Sequence, residues 1–175
     1  YFTNGYDSEV SGVDVAVSSW WDLFGGVLAT DLSYNYNEQD VSNINNGAIR
    51  PNRVFDLENQ VPENSAVMSF DYSRNAFSTM VRVNYYDEWS STDGLLGSPV
   101  DFDVRDYDAA VLVDVEARYT FADHYTVAIG GENVFDEYPD DEQGGVLQDW
   151  GAKYAITSPF GFNGAFWYAR VSASF

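Results

Sequence analysis

The chain of 175 residues contains no cysteine and only one histidine. The lack of cysteine excludes disulfide scaffolds and cysteine-based metal or redox centres. Basic residues are also scarce, because 8 Lys and Arg stand against 28 Asp and Glu and give a formal net charge of -20. Phosphate binding needs clusters of Lys and Arg, so this composition argues against DNA or RNA as a partner.

Long apolar runs are missing too. No segment approaches the ~18 uncharged apolar residues of a transmembrane helix. Aromatic residues nevertheless make up 17% of the chain and apolar residues 45%, whereas disordered acidic chains lack aromatics. A mixture of Tyr, Phe, Trp, Val, Thr and Ser is typical of half-buried β-strands.

Alternation of apolar and polar residues predicts seven strands, while helical periodicity is hard to find. The predicted strands cover residues 10–21, 27–37, 65–73, 77–86, 107–121, 125–134 and 164–175. In each strand the apolar residues share one face, and every charge inside a strand falls on the other face. These charges are Asp14, Asp31, Asp71, Arg82, Asp114, Glu116, Arg118, Glu132 and Arg170.

The apolar face is aliphatic in the middle of the strands and aromatic at their ends. The aromatics at one end are Trp21, Tyr72, Phe77, Tyr119, Phe121, Tyr125 and Phe175, and those at the other are Tyr34, Tyr36, Tyr85 and Trp167. Two aromatic belts around an aliphatic band match a bilayer and its two interfaces. A soluble sandwich also alternates, but we expect its largest rings in mid-strand. The pattern therefore predicts an all-β fold, an antiparallel up-and-down segment of a transmembrane β-barrel.

Short turns and long polar loops alternate between the predicted strands, as in outer-membrane barrels with short periplasmic turns and long extracellular loops. Seven strands do not make a closed barrel of this kind, which has an even number of at least ~8. An unpaired edge in hydrocarbon would cost several kcal/mol per backbone group. We therefore expect residues 1–175 to be the tail of a larger barrel, with residues 1–9 ending a preceding extracellular loop.

Four stretches resemble a known family. They are residues 5–15 (GYDSEVSGVDV), 61–64 (VPEN), 130–139 (GGENVFDEYP) and 158–164 (SPFGFNG). In this order they resemble the C-terminal part of the β-barrel of TonB-dependent outer-membrane receptors, with Asn133, Phe135, Asp136 and Pro139 on the family's motif. Two departures are Asp14, where Glu is usual, and the lack of the family's His in residues 61–64.

The resemblance implies a roughly 22-stranded barrel in the outer membrane of a Gram-negative bacterium. It implies active import of a scarce nutrient, most often a ferric siderophore, otherwise haem, cobalamin or a glycan. The implied partners are outer-membrane lipid and lipopolysaccharide, the barrel assembly machinery, an N-terminal plug domain and TonB. The plug and the TonB box are not in these residues. We expect no cofactor and no enzymatic activity, because no catalytic constellation can be defended and His124 lies in a predicted turn.

The last strand carries an alternating pattern, Trp167, Val171 and Phe175, that in this class is read by the barrel assembly machinery. Strand addition would be its mechanism, because an exposed sheet edge can pair with a strand of the machine. An ordinary lipid-facing strand would show the same alternation.

Several loop residues are candidates for ligand or metal binding. Trp89, Trp150 and Tyr154 could stack on sugars or catechols, or only pack within their loops. Arg50 and Arg53 could meet an anionic ligand, or form a local salt bridge to Asp56 or Glu58. Asp101, Asp103 and Asp106 carry the oxygen ligands that Ca²⁺ prefers, or belong to a solvated acidic surface.

Three arginines on the polar face, Arg82, Arg118 and Arg170, are expected to form ion pairs with a structural role. Two other interpretations stay open for the chain. One is a small self-standing outer-membrane barrel that acts as a porin or adhesin, and the other is a soluble ligand-binding β-barrel or sandwich.

Overall fold

The computed structural model describes residues 4–45, 47–92, 104–122, 124–141 and 151–174. Antiparallel strands dominate. In chain order the elements are β1 (Asp7–Leu23), β2 (Gly26–Ser42), α1 (Pro51–Asn59), β3 (Asn64–Arg74), β4 (Phe77–Tyr86), β5 (Trp89–Ser91), β6 (Arg105–Tyr107), β7 (Ala110–Phe121), β8 (Tyr125–Glu132) and β9 (Phe166–Ala173). In the described part of the chain, no helix combines the length and apolar character that a membrane crossing requires.

Seven strands form one sheet in the order β1-β2-β3-β4-β7-β8-β9. In the chain segment that connects β4 to β7, the short strands β5 and β6 pair with each other as a small hairpin. Every strand of the large sheet runs antiparallel to its neighbours. Within the described residues, β1 and β9 are the open edges of the sheet and do not pair with each other. The predicted all-β, up-and-down segment of an unclosed barrel is confirmed.

The register confirms that the nine charges inside the predicted strands share one face of the sheet. One row of Cα partners across five strands contains Val17, Leu32, Met68, Val83 and Val113. The adjacent row, which points to the opposite face because successive side chains alternate, contains Ser18, Asp31, Ser69, Arg82 and Asp114. We call the first side the apolar face and the second the charged face. All nine charges of the predicted strands lie on the charged face, while the added ends of β1 and β2 also carry charge on the other side, as in the pair Glu9↔Asp40.

The apolar face is not covered by any core in the described part of the chain. Only six hydrophobic side chains are buried there, and five of them form one cluster at the loop end of the sheet. In contrast, Ile129 in β8 is 62% exposed and Val171 in β9 is 73% exposed. A soluble sandwich would bury these side chains between two sheets, so the open aliphatic face fits a surface that contacts lipid.

Several element boundaries differ from the sequence prediction. Strand β1 begins at Asp7, so residues 7–9 are not loop, and β2 continues to Ser42. These ends pair with each other from Gly12↔Asn37 to Asp7↔Ser42, because backbone hydrogen bonds continue where the face alternation fades. Strand β7 begins at Ala110, β8 ends at Glu132, and β9 spans only Phe166–Ala173.

Neither the helix α1 nor the small hairpin of β5 and β6 was predicted from the sequence. Helix α1 has nine residues and begins at Pro51, whose fixed φ angle suits a first helical turn. Its buried residues are the polar Asn52 and Asp56, so the side that packs on the rest of the chain is not an apolar stripe of the kind that reveals an amphipathic helix. The hairpin pairs only three residues on each side, fewer than an alternation pattern needs.

The first short turn explains how β1 and β2 are joined. Phe24 and Gly25 both have positive φ angles, 51° and 74°. Two successive residues with positive φ match a type I′ turn, whose twist suits a two-residue hairpin. This turn fixes the long register of the β1–β2 pair.

Candidate functional site

The three long connections between strands lie at the same end of the sheet, and we call this the loop end. A compact cluster is buried there, formed by Trp89, Tyr107, Ala110, Ala155 and Phe160. Trp89 stacks on Tyr107 with ring centroids 5.0 Å apart. The cluster includes residues from two of the loops, so these loops pack on each other rather than extending separately into solvent.

Asp56 joins α1 to the segment that follows β5. Its side chain is 1% exposed, and its Oδ1 accepts hydrogen bonds from the Thr92 backbone N–H at 2.7 Å and from the Thr92 hydroxyl at 2.8 Å. The Ser91 hydroxyl donates a longer bond of 3.4 Å to the same oxygen. These bonds lock the loop between β2 and β3 to the loop between β4 and β7, and we call this contact the Asp56 junction.

A cleft of about 490 Å³ lies between the same two loops. Its lining residues are Asn59, Val61, Glu63, Asp87, Glu88, Trp89, Ser90 and Asp106. Four of them are carboxylates and none is basic. We call this the acidic cleft, and its charge favours a cationic ligand over an anionic one.

Asp87 in this cleft belongs to a hydrogen-bonded chain that crosses three strands. The Tyr34 hydroxyl donates to Asn64 Oδ1 at 2.6 Å, and Asn64 Nδ2 donates to Asp87 Oδ2 at 2.6 Å. The Tyr85 hydroxyl donates to Asp87 Oδ1 at 2.8 Å. Partial burial opposes ionisation, but hydrogen bonds from Tyr85, Asn64 and the Glu88 backbone N–H outweigh it and lower the pKa of Asp87.

Two tyrosines of this hydrogen-bonded network also belong to the predicted aromatic belt. Tyr34 and Tyr85 lie on the apolar face at the level where β3 begins, while their hydroxyls bond polar groups of the loop end. A ring in an apolar layer with its hydroxyl in a wet layer is the arrangement found at membrane interfaces. Because β2 continues to Ser42, Tyr34 is not at the end of its own strand.

The four candidate ligand-binding residues that the structure describes share no described side-chain contact with one another that would make one site. Trp89 is only 3% exposed and is one of the residues that line the acidic cleft. Arg50 is the residue before α1. The Arg53 Nη1 atom lies 3.9 Å from Asp56 Oδ2, so Arg53 forms the local salt bridge that was the alternative to ligand binding. Trp150 lies outside the described residues.

Tyr154 belongs to a separate aromatic group in the loop between β8 and β9. It stacks between Tyr138, at 5.7 Å between centroids, and Phe162, at 5.9 Å. Lys153 Nζ lies 4.6 Å from the centroid of the Tyr154 ring and donates to the Tyr154 hydroxyl at 2.8 Å. This hydrogen bond, followed by the charge of Asp141, raises the pKa of Lys153. The group packs mainly on itself, so a ligand would reach only its outer faces.

The candidate calcium site falls mostly on residues that are not described. Asp101 and Asp103 lie outside the described part of the chain, and Asp106 accepts a hydrogen bond from the Ser90 hydroxyl at 2.6 Å. Among the described residues, no three Asp, Glu or His side chains come together in a metal-binding arrangement.

The motif residues Asn133 and Asp136 build the connection from β8 to β9. Asn133 has a positive φ of 49°, which Asn tolerates better than most residues. Its amide donates to the Glu137 carbonyl at 2.7 Å and accepts from the Glu137 N–H at 3.0 Å. Asp136 Oδ1 accepts the N–H of Ala165 at 2.8 Å, just before β9. The motif therefore has a structural role in setting the path of the last strand.

The other two motif residues are placed differently. Phe135 is 74% exposed, and Pro139 is buried. Phe135 therefore presents its ring at the surface of the described structure, while Pro139 packs inside the loop.

Two of the three residues predicted as an assembly signal lie in β9, the last strand of the described sheet. Trp167 and Val171 are on the apolar face of β9, opposite Gly131 and Val127 of β8, and both side chains are exposed. Phe175 lies outside the described residues. The free edge of β9 has the geometry that strand addition requires.

The charged face holds an ion-pair network centred on Glu116. This side chain is 4% exposed and pairs with Arg118 and, at 3.2 Å, with Arg170. The Tyr168 hydroxyl donates to Glu116 Oε2 at 2.6 Å. The predicted ion pairing of the polar-face arginines is confirmed for Arg118 and Arg170. Their side chains surround a cleft of about 450 Å³.

Asp56 is the functional-site residue that sequence reasoning missed except as a salt-bridge partner. Only its position five residues after Pro51 in an acidic, polar segment is visible in the sequence. Nothing in that pattern indicates that residues 35 and 36 positions away, Ser91 and Thr92, bond to it.

Comparison with known proteins places the chain in a family. A family model described as TonB dependent receptor-like, beta-barrel, matches residues 1–134. Searches of curated proteins and of solved structures gave no match. The family comprises outer-membrane transporters and receptors that are not enzymes. With the open antiparallel sheet and its segregated charges, this match shows that the chain belongs to the TonB-dependent receptor-like β-barrel family.

Proposed function

We propose that residues 1–175 form the C-terminal wall of the barrel of an outer-membrane receptor that actively imports a scarce nutrient with energy from TonB. One observation carries the proposal: the nine charges within the predicted strands share one face of seven strands, while the other face is aliphatic over the same span and uncovered among the described residues.

This segregation suits a sheet with hydrocarbon on one side and a polar lumen on the other. Charged side chains on the lipid face of a barrel are destabilising, whereas the lumen tolerates them. The Glu116 network on the charged face supports a lumen that contacts another polar surface. In the intact receptor this surface belongs to the N-terminal plug domain, and Arg82 and Glu132 of the charged face can also pair with it.

The nutrient that we propose is a ferric siderophore or a similar chelate. The acidic cleft and the group around Tyr154 lie at the loop end, where an incoming ligand first meets the barrel. Lipopolysaccharide and outer-membrane lipid surround the barrel. The free edge of β9, with Trp167 and Val171, docks on the barrel assembly machinery before closure.

An uptake experiment tests this function. A strain that lacks the complete gene, grown under iron limitation, is compared with the same strain carrying the gene on a plasmid. We expect radioactive iron supplied as siderophore chelates to enter only the complemented cells, and a proton uncoupler to abolish entry. Uptake that persists after deletion, or that ignores the uncoupler, would contradict the proposal. Defects restricted to cobalamin or glycan uptake would redirect it to another nutrient.

A porin or adhesin is the alternative function that must be distinguished from the TonB-dependent receptor. The match of residues 1–134 to the receptor-like barrel family supports the receptor over a porin or adhesin. Uncoupler-insensitive, non-saturating diffusion of small solutes into vesicles that contain the protein would favour the porin.

A further inference from the structure

Strand β8 carries almost no side chain on its charged face at two positions that face β9. Ala128 lies opposite Arg170, and Gly130 lies opposite Tyr168. Ala128 is only 1% exposed. At Gly130 a Cβ atom would lie 2.6 Å from Cζ of Tyr168 and 2.8 Å from the backbone oxygen of Val115. The ring of Tyr168 therefore occupies the space that a side chain at position 130 would fill.

Both β9 side chains extend over this low part of β8 and bind a residue on the strand beyond it. The Tyr168 hydroxyl donates to Glu116 Oε2 at 2.6 Å, and Arg170 Nη2 donates to Oε1 at 3.3 Å and to Oε2 at 3.2 Å. Glu116 is 4% exposed and belongs to β7, which lies two strands away from β9 in the sheet. We call these contacts across Ala128 and Gly130 the β9 clamp. They tie β9 to β7 in addition to its backbone pairing with β8.

The apolar face carries a matching contact one residue away. Trp167 lies opposite Gly131, and a Cβ atom on Gly131 would lie 2.9 Å from Cε3 of Trp167 and 2.9 Å from Cγ1 of Val134. Two consecutive glycines of β8 are thus covered by two consecutive aromatic residues of β9, on opposite faces because successive side chains alternate. An aromatic ring over a glycine of the neighbouring strand is a contact that pins register.

The long connection between β8 and β9 leaves the register of β9 to side chains. A two-residue turn sets the register of β1 and β2, whereas β8 and β9 are joined by residues 133–165. Backbone hydrogen bonds form in any register of a ladder, so they do not select one. The bond from the Ala165 N–H to Asp136 fixes the entrance to β9, and the clamp acts on the strand itself.

Other registers of β9 would break these contacts. A slip of one residue would exchange the faces of Trp167 and Tyr168. A slip of two residues keeps the faces, but in one direction Trp167 would lie opposite Ile129, and in the other Tyr168 would lie opposite Glu132. Either slip moves the Tyr168 hydroxyl away from Glu116, and a buried charge that loses partners is costly.

We propose that the β9 clamp, together with Trp167 on Gly131, selects the register of β9 and thereby sets the level at which this strand is held in the barrel wall. This inference goes beyond the proposed function, because it holds for whichever nutrient is imported. It gives Glu116 and the glycine pair a role in positioning a strand two places away.

Disulfide mapping in the intact receptor tests the register directly. Residues 1–175 contain no cysteine, so engineered pairs can be compared with single-cysteine receptors as background. Val127→Cys with Val171→Cys reports the observed register, and Val127→Cys with Ala169→Cys or Ala173→Cys reports a slip of two residues in either direction. Diagonal neighbours lie about 7–8 Å apart, beyond the usual ~4.4–6.8 Å between the Cα atoms of a disulfide. Linked peptides are quantified by mass spectrometry after oxidation of outer membranes.

The variants separate the ring from its hydroxyl. Tyr168→Ala removes the ring, whereas Tyr168→Phe keeps the ring over Gly130 and removes only the hydrogen bond. Gly161→Ala is the control in the same connection, because a Cβ atom there would meet nothing within 4 Å. We expect Y168A to lower the 127–171 link about threefold and to raise a slipped link above background. Trp167→Ala should act in the same direction, Y168F should have a smaller effect than Y168A, and G161A should leave all three links unchanged.

Two results would overturn the inference. One is that Y168A forms the same links as G161A. The other is that the 127–171 link falls in Y168A while neither slipped link rises, since the clamp would then stabilise β9 without choosing its register. A variant that accumulates poorly in cells is measured after refolding of the intact receptor in lipid vesicles, where the same links report on register.

Discussion

Replacing Val81 by Arg is the sharpest test of which side of the sheet faces lipid. Val81 lies near the middle of β4 on the apolar face, between Phe70 of β3 and Val115 of β7. An arginine there has only apolar neighbours and would have to enter hydrocarbon. Near the bilayer midplane such a substitution on a barrel costs about 2–4 kcal/mol. We expect V81R to lower the free energy of unfolding by this amount.

Met80→Arg is the matched control, because it places the same side chain one residue away on the opposite face. Met80 lies between Asp71 and Glu116, so the new guanidinium meets two carboxylates. Opposite-charge cross-strand pairs contribute roughly 0.2–1 kcal/mol, which offsets the loss of the methionine side chain. We expect M80R to stay within about 1 kcal/mol of the original protein.

The assay is equilibrium unfolding of the intact receptor in lipid vesicles by guanidinium, followed by tryptophan fluorescence, with heat-modifiable gel mobility as a measure of assembly. V81R should unfold at lower denaturant concentration and accumulate less in the outer membrane than M80R. The reverse order, with V81R tolerated and M80R unstable, would mean that the apolar face is the interior. The membrane reasoning would then be wrong.

Three further predictions concern the loop end. Asp56→Ala leaves the buried donors of Thr92 unsatisfied and should destabilise the two loops by about 1–3 kcal/mol, seen as faster protease cleavage of these loops on intact cells with no change in barrel mobility. Asn133→Ala should cost a similar ~1–3 kcal/mol and slow assembly of the last strand. Asn133→Gly should be as unstable as Asn133→Ala, because glycine adopts the positive φ but lacks the bonds to Glu137. The pKa of Asp87 is lowered below the ordinary 3.8 in the folded state. The ionised carboxylate therefore stabilises the fold fully above pH 3.8, and this stabilisation is lost as the pH falls through the lower folded pKa. Pepsin cleavage of the loop should rise as the pH is lowered through this window, and Asp87→Asn should remove the pH dependence.

The strands and their faces could be predicted because both are local properties. An alternation of period two assigns each residue to a face without knowledge of its neighbours in space. Asp14 and Arg170, at opposite ends of the chain, were therefore placed on the same face correctly. The motif at Asn133 and Asp136 was also visible, although only the structure shows that it directs the start of β9.

The architecture of the loop end could not be predicted in this way. Helix α1 is short and polar, and an isolated helix of this length is marginal in water. It is held by contacts such as the bonds from Thr92 to Asp56, which join residues 36 positions apart. An aspartate in a polar segment is usually exposed, so the burial of Asp56 contradicts its local context.

The sequence by itself determined the all-β class, the two chemically distinct faces, the alternation of tight turns with long loops, and the family, because each follows from periodicity or from short motifs. Tertiary structure alone decided how the loops fold on one another, which carboxylates share a cleft, and that Trp89 is buried with no described residue accepting its indole N–H. These features depend on contacts between residues far apart in the chain, and a one-dimensional pattern carries no distance between them.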